Sequence, residues 1–154
     1  MPKLSKMTFS PRNFPETDPR LLGSWKSDLR RTFRDWNWKS NTSPKKRDRL
    51  KSLFGKSMVT FTQTKTILNL PHRDWQTSRH YSILGIDETS VAIMEFGELE
   101  IKNKHKYWTE GVKMVKEFCS KPVIKHIHFE NDYYWLSIGT GKNREFFKRL
   151  KRTR

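Results

Sequence analysis

Intrachain disulfide chemistry is excluded at once, because the chain has a single cysteine, Cys119. Long apolar runs are missing as well. No stretch approaches the roughly 20 residues that a membrane-spanning helix needs. The amino-terminal stretch MPKLSKMTFSPRNFPETDP holds no apolar core of the secretory type, so a cytoplasmic protein is expected. Several catalytic signatures are missing too. There is no Gly-x-Ser-x-Gly elbow, no phosphate-cradling glycine loop and no cysteine pair at metal-ligand spacing. Acidic residues are scarce, 16 against 32 lysines and arginines, which leaves a net charge of +16.

What remains is aromatic and basic. The 154 residues suit one ordinary domain. Ten phenylalanines, six tryptophans and four tyrosines supply large apolar side chains, so a packed core is expected rather than a disordered chain. The charge is uneven. Residues 1–70 carry 16 basic against 5 acidic residues, residues 71–120 carry 7 against 8, and residues 121–154 carry 9 against 3. Such a field attracts nucleic acid, anionic lipid or acidic ligands, or simply keeps the surface solvated.

Residues 1–19 hold four prolines and no period, and read as an extended basic arm. Asp18-Pro19 marks a short turn leading into Trp25. Asp28 is a cap for a helix over LRRTFRDWNW, with Leu29, Phe33 and Trp36 on one stripe. SPKKRDRLKSLFG predicts a second helix, with Ser43 as N-cap, Pro44 at its first position and Gly55 closing it. Its stripe is Leu50, Leu53 and Phe54.

Beyond Gly55 the period becomes two. SMVTFTQTKTILNL reads as one strand, and SRHYSILGIDETSVAIMEFG as a hairpin turning at Glu88-Thr89. That turn sets Ile86 opposite Val91, Leu84 opposite Ile93 and Tyr81 opposite Phe96. Residues 97–109 look irregular, and TEGVKMVKEFCSK reads as a short helix with Val112, Val115, Phe118 and Cys119 inward. PVIKHIHFENDYYWLSIG is a second hairpin with Asn131-Asp132 at its tip, and REFFKRLKR is a final basic strand after a TGKN turn. Several short strands joined by tight turns point to a mainly β fold with two or three helices, an antiparallel sheet, sandwich or barrel.

In that setting Gly23-Ser24-Trp25 on the first strand resembles the lipocalin and wider calycin pattern. The chain is also similar to short bacterial proteins of unknown function that pair a Gly-x-Trp opening with an IHFE…YW…REFF ending. The resemblance covers about residues 20–150 and makes residues 20–154 one lipocalin-like domain. It implies that Gly23 and Trp25 anchor one end of the barrel, and that Arg144, Lys148 or Arg149 packs over the indole. It implies a small apolar or amphipathic ligand, which the net charge biases towards an anion. It departs from the pattern in the predominantly helical stretch of roughly thirty residues between Trp25 and the next clear strand.

Alternation on the second hairpin divides its side chains. His126, His128 and Glu130 share one face with Tyr133, Trp135 and Ser137; Ile127, Phe129, Tyr134 and Leu136 share the other. The mixed face has three readings: a ligand pocket, a metal site on His126, His128 and Glu130, or an outer wall facing water. The expected ligand residues are Tyr81, His126, His128, Tyr133, Trp135 and Arg144, with no cofactor and no metal. A nucleic-acid surface is the alternative, using Arg30, Arg31, Arg34, Lys45, Lys46, Arg47, Arg49 and Lys51 for RNA or DNA phosphates. Trp36 and Trp38 would stack on bases. A small hydrolase-type enzyme is the remaining reading.

Overall fold

The computed structural model describes residues 17–70, 75–103, 121–139 and 141–150. Eight strands follow in chain order: β1 (Gly23–Ser27), β2 (Met58–Phe61), β3 (Lys65–Leu70), β4 (Trp75–Ile86), β5 (Ser90–Asn103), β6 (Val123–Glu130), β7 (Tyr133–Ser137) and β8 (Arg144–Arg149). Each pairs antiparallel with the next, and β8 pairs antiparallel with β1, closing a barrel. Two helices, α1 (Leu29–Arg34) and α2 (Pro44–Lys51), lie between β1 and β2. The expected mainly-β, lipocalin-like barrel with few helices is thus the fold.

Local chemistry explains the turns. Thr62 interrupts what reads as one strand and divides it into β2 and β3. Its Oγ1 accepts from the backbone N–H groups of Thr64 at 3.3 Å and Lys65 at 2.9 Å. A threonine that bonds its own backbone in this way needs no glycine or proline to turn the chain. Asp87 does the same between β4 and β5, accepting from the N–H groups of Thr89 and Ser90 at 2.9 and 2.7 Å. Burial pushes the Asp87 carboxyl up, yet these bonds and those from the two side-chain hydroxyls hold it below the usual carboxylate range.

Other expectations shift. Ile86 faces Val91 as anticipated, but a bulge beside Gly85 sets Ile83 opposite Ile93 and Tyr81 opposite Glu95. Strand β5 runs on through 97–103, a stretch that had looked irregular. Helix α1 ends at Arg34, short of Trp36 and Trp38. Ser43 caps α2 by accepting from Lys46 N–H at 3.2 Å, but the helix closes at Ser52, so Gly55 belongs to the turn beyond it. There Gly55 has φ +84°, and a Cβ would come within 2.9 Å of Leu29 Cβ, so this turn needs glycine. Residues 1–16 of the expected arm over 1–19, and the predicted helix carrying Cys119, lie outside the described residues.

One end of the barrel is plugged. Trp25, 1% exposed, donates from Nε1 to Leu21 O at 3.0 Å and packs edge-on against Tyr134. Arg149, directly across the β1–β8 seam, lays its guanidinium over the indole at 4.1 Å. The same guanidinium donates to Leu22 O at 2.8 Å and to Arg20 O. Of the three basic candidates, Arg149 covers the tryptophan. Arg20 fastens the incoming chain from outside, bonding Asp18 at 2.7 Å and the Glu88 carbonyl at 2.9 Å.

Candidate ligand-binding cavity

Alternation predicts which side chains of the β6–β7 hairpin travel together, and the register agrees: His128 pairs with Trp135 and Phe129 with Tyr134. The side that turns inward is Lys125, Ile127, Tyr134 and Leu136. Ile127 and Tyr134 are each 1% exposed, in contact with a core that includes Trp25, Phe61 and Phe147.

Towards the end away from Trp25 the interior opens into a cavity of about 570 Å³. Its walls are largely apolar, with Val59, Phe61, Leu68, Ile127, Leu136 and Phe147 among them. Thr66, Lys125, Tyr134 and Glu145 supply polar groups, and the Ser52–Phe54 turn after α2, with Lys56 and Ser57, forms part of the rim. Leu68, 36% exposed, and Leu53, 72% exposed, stand at this rim.

The polar groups differ in what they already hold. Lys125 is paired with Glu95, whose other oxygen accepts from Thr66 Oγ1 at 2.9 Å. Nearby Arg79 donates from Nε to Gly97 O at 3.0 Å. Glu145 accepts from Ser27 Oγ at 2.8 Å through one oxygen. Burial pushes its carboxyl above the usual range, while the Ser27 bond and the Lys125 charge pull it partly back. The Tyr134 hydroxyl has no hydrogen-bond partner among the described residues. Burial first, then the charges of Glu145 and Glu95, push its pKa well above the ordinary phenol value.

Ser27 links this interior to the rim. Its Oγ donates to Glu145 and accepts from Gly55 N–H at 3.0 Å. The turn that borders the mouth is therefore tied to a carboxyl within the barrel.

The residues expected to line the interior are mostly elsewhere. His126, His128, Tyr133, Trp135 and Arg144 lie on the outer wall. There they form a ladder: the His126 and His128 rings are 4.2 Å apart, His128 stacks on Trp135 at 3.9 Å, and Arg144 covers Trp135 at 3.9 Å. His126 Nε2 lies 3.0 Å from Ser90 Oγ. Tyr133 donates to Asp28 Oδ2 at 3.2 Å; burial and the Asp28 charge raise its phenol pKa. Tyr81 does face inward, but it sits in the plugged end. It donates to Thr62 O at 2.6 Å, and burial raises its pKa. Among the described residues no three His, Cys, Asp or Glu side chains come together as a metal site.

The basic stretch is a lobe outside the barrel. Arg30, Arg34, Lys45, Lys46, Arg49 and Lys51 are exposed. Arg31 is occupied, 3.4 Å from Asp35, 3.5 Å from Glu130 and 3.8 Å over the Phe146 ring. Trp36 and Trp38 are half-buried and pack with Phe33, which also meets Phe54. Arg47 and Lys51 cover Trp38 at 5.0 and 6.0 Å. This cluster packs the two tryptophan rings against each other and against Phe33.

Sequence reasoning missed the lining residues Thr66, Lys125, Tyr134 and Glu145. Their signal was period-two alternation with Ile127 and Phe147, two plainly apolar neighbours. No protein-family model, curated protein or solved structure matches the chain. The assignment of a class therefore stops at the fold: a closed eight-stranded antiparallel barrel able to hold a ligand. No helix among the described residues is long and apolar enough to cross a membrane.

Proposed function

We propose that the protein is a non-enzymatic carrier of a small, uncharged amphipathic molecule held inside the barrel. The apolar body of the ligand lies against Val59, Phe61, Leu68 and Leu136. Its hydroxyl or amide end meets the Tyr134 hydroxyl and the Glu145 carboxyl. The observation that carries this reading is the cavity of about 570 Å³, whose walls mix apolar side chains with polar groups, among them a Tyr134 hydroxyl with no hydrogen-bond partner among the described residues. Volumes of roughly 300–1,000 Å³ with sparse, directed polar groups are typical of small-molecule sites.

The charge of the ligand follows from the lining. The net charge of +16 favours an anion only at the outer surface. Inside, Lys125 is already neutralised by Glu95, Lys56 stands exposed at the mouth, and an anion that passed it would meet Glu145. An uncharged polar end avoids both costs.

Fluorescence titration with the neutral dye Nile red tests the site. Leu68→Trp narrows the mouth at a partly exposed position, so it spares the core. It should weaken dye binding about tenfold, the effect of losing one well-packed apolar contact. His128→Ala, on the outer wall, should leave binding unchanged. The opposite pattern would remove the interior as the site.

A further inference from the structure

The rim of the cavity and helix α2 together carry a feature that ligand binding alone does not require. Leu53 is 72% exposed at the mouth, and Leu29, beside Gly55 on the same lobe, is 41% exposed. Around them α2 has the sequence PKKRDRLK, with no buried residue and no acidic residue in its first turn. Lys45 and Lys46 thus sit at the positive end of the helix dipole. Lys45 and Arg49, and again Arg47 and Lys51, are like charges one turn apart, which oppose helix formation. Among the described residues Lys45, Lys46, Arg49 and Lys51 have no carboxylate within ion-pairing distance. This arrangement works against the stability of the isolated helix, and an external layer of negative charge would relieve it.

We propose that α2 and the mouth of the barrel dock on an anionic lipid surface, with Lys45, Lys46 and Arg49, which share one face of the helix, towards the headgroups and Leu53 entering the apolar layer. Each cation near such a surface gains about 1 kcal/mol. An exposed leucine among them adds apolar insertion, which a nucleic acid would not use. The orientation places the mouth against the layer from which an amphipathic molecule would enter. In that purpose the proposal rests on the cavity reading; the docking itself rests on α2 and Leu53.

Vesicle sedimentation with the full chain tests it, using phosphatidylcholine alone and an equimolar mixture with phosphatidylserine. Single-stranded RNA serves as the competing polyanion. The intact protein should bind the mixed vesicles and not the neutral ones. Leu53→Asn should weaken vesicle binding about tenfold and leave RNA affinity unchanged. Changing Lys45, Lys46 and Arg49 to Gln should weaken it roughly fivefold per cation. Native mass spectrometry of that glutamine variant should still find any cavity ligand of the parent, since none of the three residues lines the cavity. Loss of the ligand with docking intact would fault the cavity reading alone. Vesicle binding indifferent to Leu53, or RNA binding without vesicle binding, overturns the docking proposal.

Discussion

Two residues join the first and last strands of the barrel. Arg149 combines a stack over Trp25 with hydrogen bonds to the carbonyls of Leu22 and Arg20. Lysine has the charge but lacks the planar fork that serves ring and carbonyls together. Arg149→Lys should therefore cost about 1–3 kcal/mol in a denaturant titration, and Trp25→Ala roughly 3–5 kcal/mol. Arg149→Lys as stable as the parent would leave the seam to the sheet alone. Trp25 was legible because a glycine and a first-strand tryptophan preceded a run of hairpins. The choice of Arg149 over Lys148 required register, since adjacent strand residues face opposite sides. Glu145 makes a different prediction. Folding raises its pKa through burial, so its ionised form disfavours the folded state. The stability it contributes is full below the ordinary carboxylate pKa and is lost as pH rises through the raised value. Glu145→Gln should thus be more stable than the parent at neutral pH, with the two converging in acid. A gap that widens on acidification would contradict this sign.

At the scale of elements, the period of two was readable and its direction was not. The pairs on the β6–β7 hairpin emerge as alternation requires, yet the mixed side of imidazole and indole faces out. Two facts obscure the direction in the sequence. The outer wall hides its aromatics from water by stacking them, His126 on His128 on Trp135 under Arg144. The inner wall, meanwhile, carries Lys125 and Glu145, which a reading by hydropathy sends outward. Both charges are tolerated inside because each has a partner nearby: Glu95 for Lys125, and Ser27 for Glu145. The division of residues 57–70 into two strands was similarly hidden. Thr62 turns the chain with its own hydroxyl, and threonine is otherwise a strand former. The caps of both helices were legible, because Asp28 and Ser43 act through short-range bonds to Arg31 and Lys46 N–H.

For the whole molecule, closure of the barrel divides the charge from the chemistry. Cations collect on the outside, chiefly on the lobe between β1 and β2. The interior is plugged at the Trp25 end and open as a cavity at the other. Composition exposed the first half of this division, and only the closed topology exposes the second. The central claim is that the interior, rather than the histidine wall, holds an uncharged ligand. Native mass spectrometry of the purified full chain tests it most directly. The account predicts one small molecule bound to the parent, reduced in Tyr134→Phe and in Glu145→Gln, and undiminished in a variant with both His126 and His128 changed to alanine. A parent without any adduct, or an adduct lost only with the histidines, would contradict it.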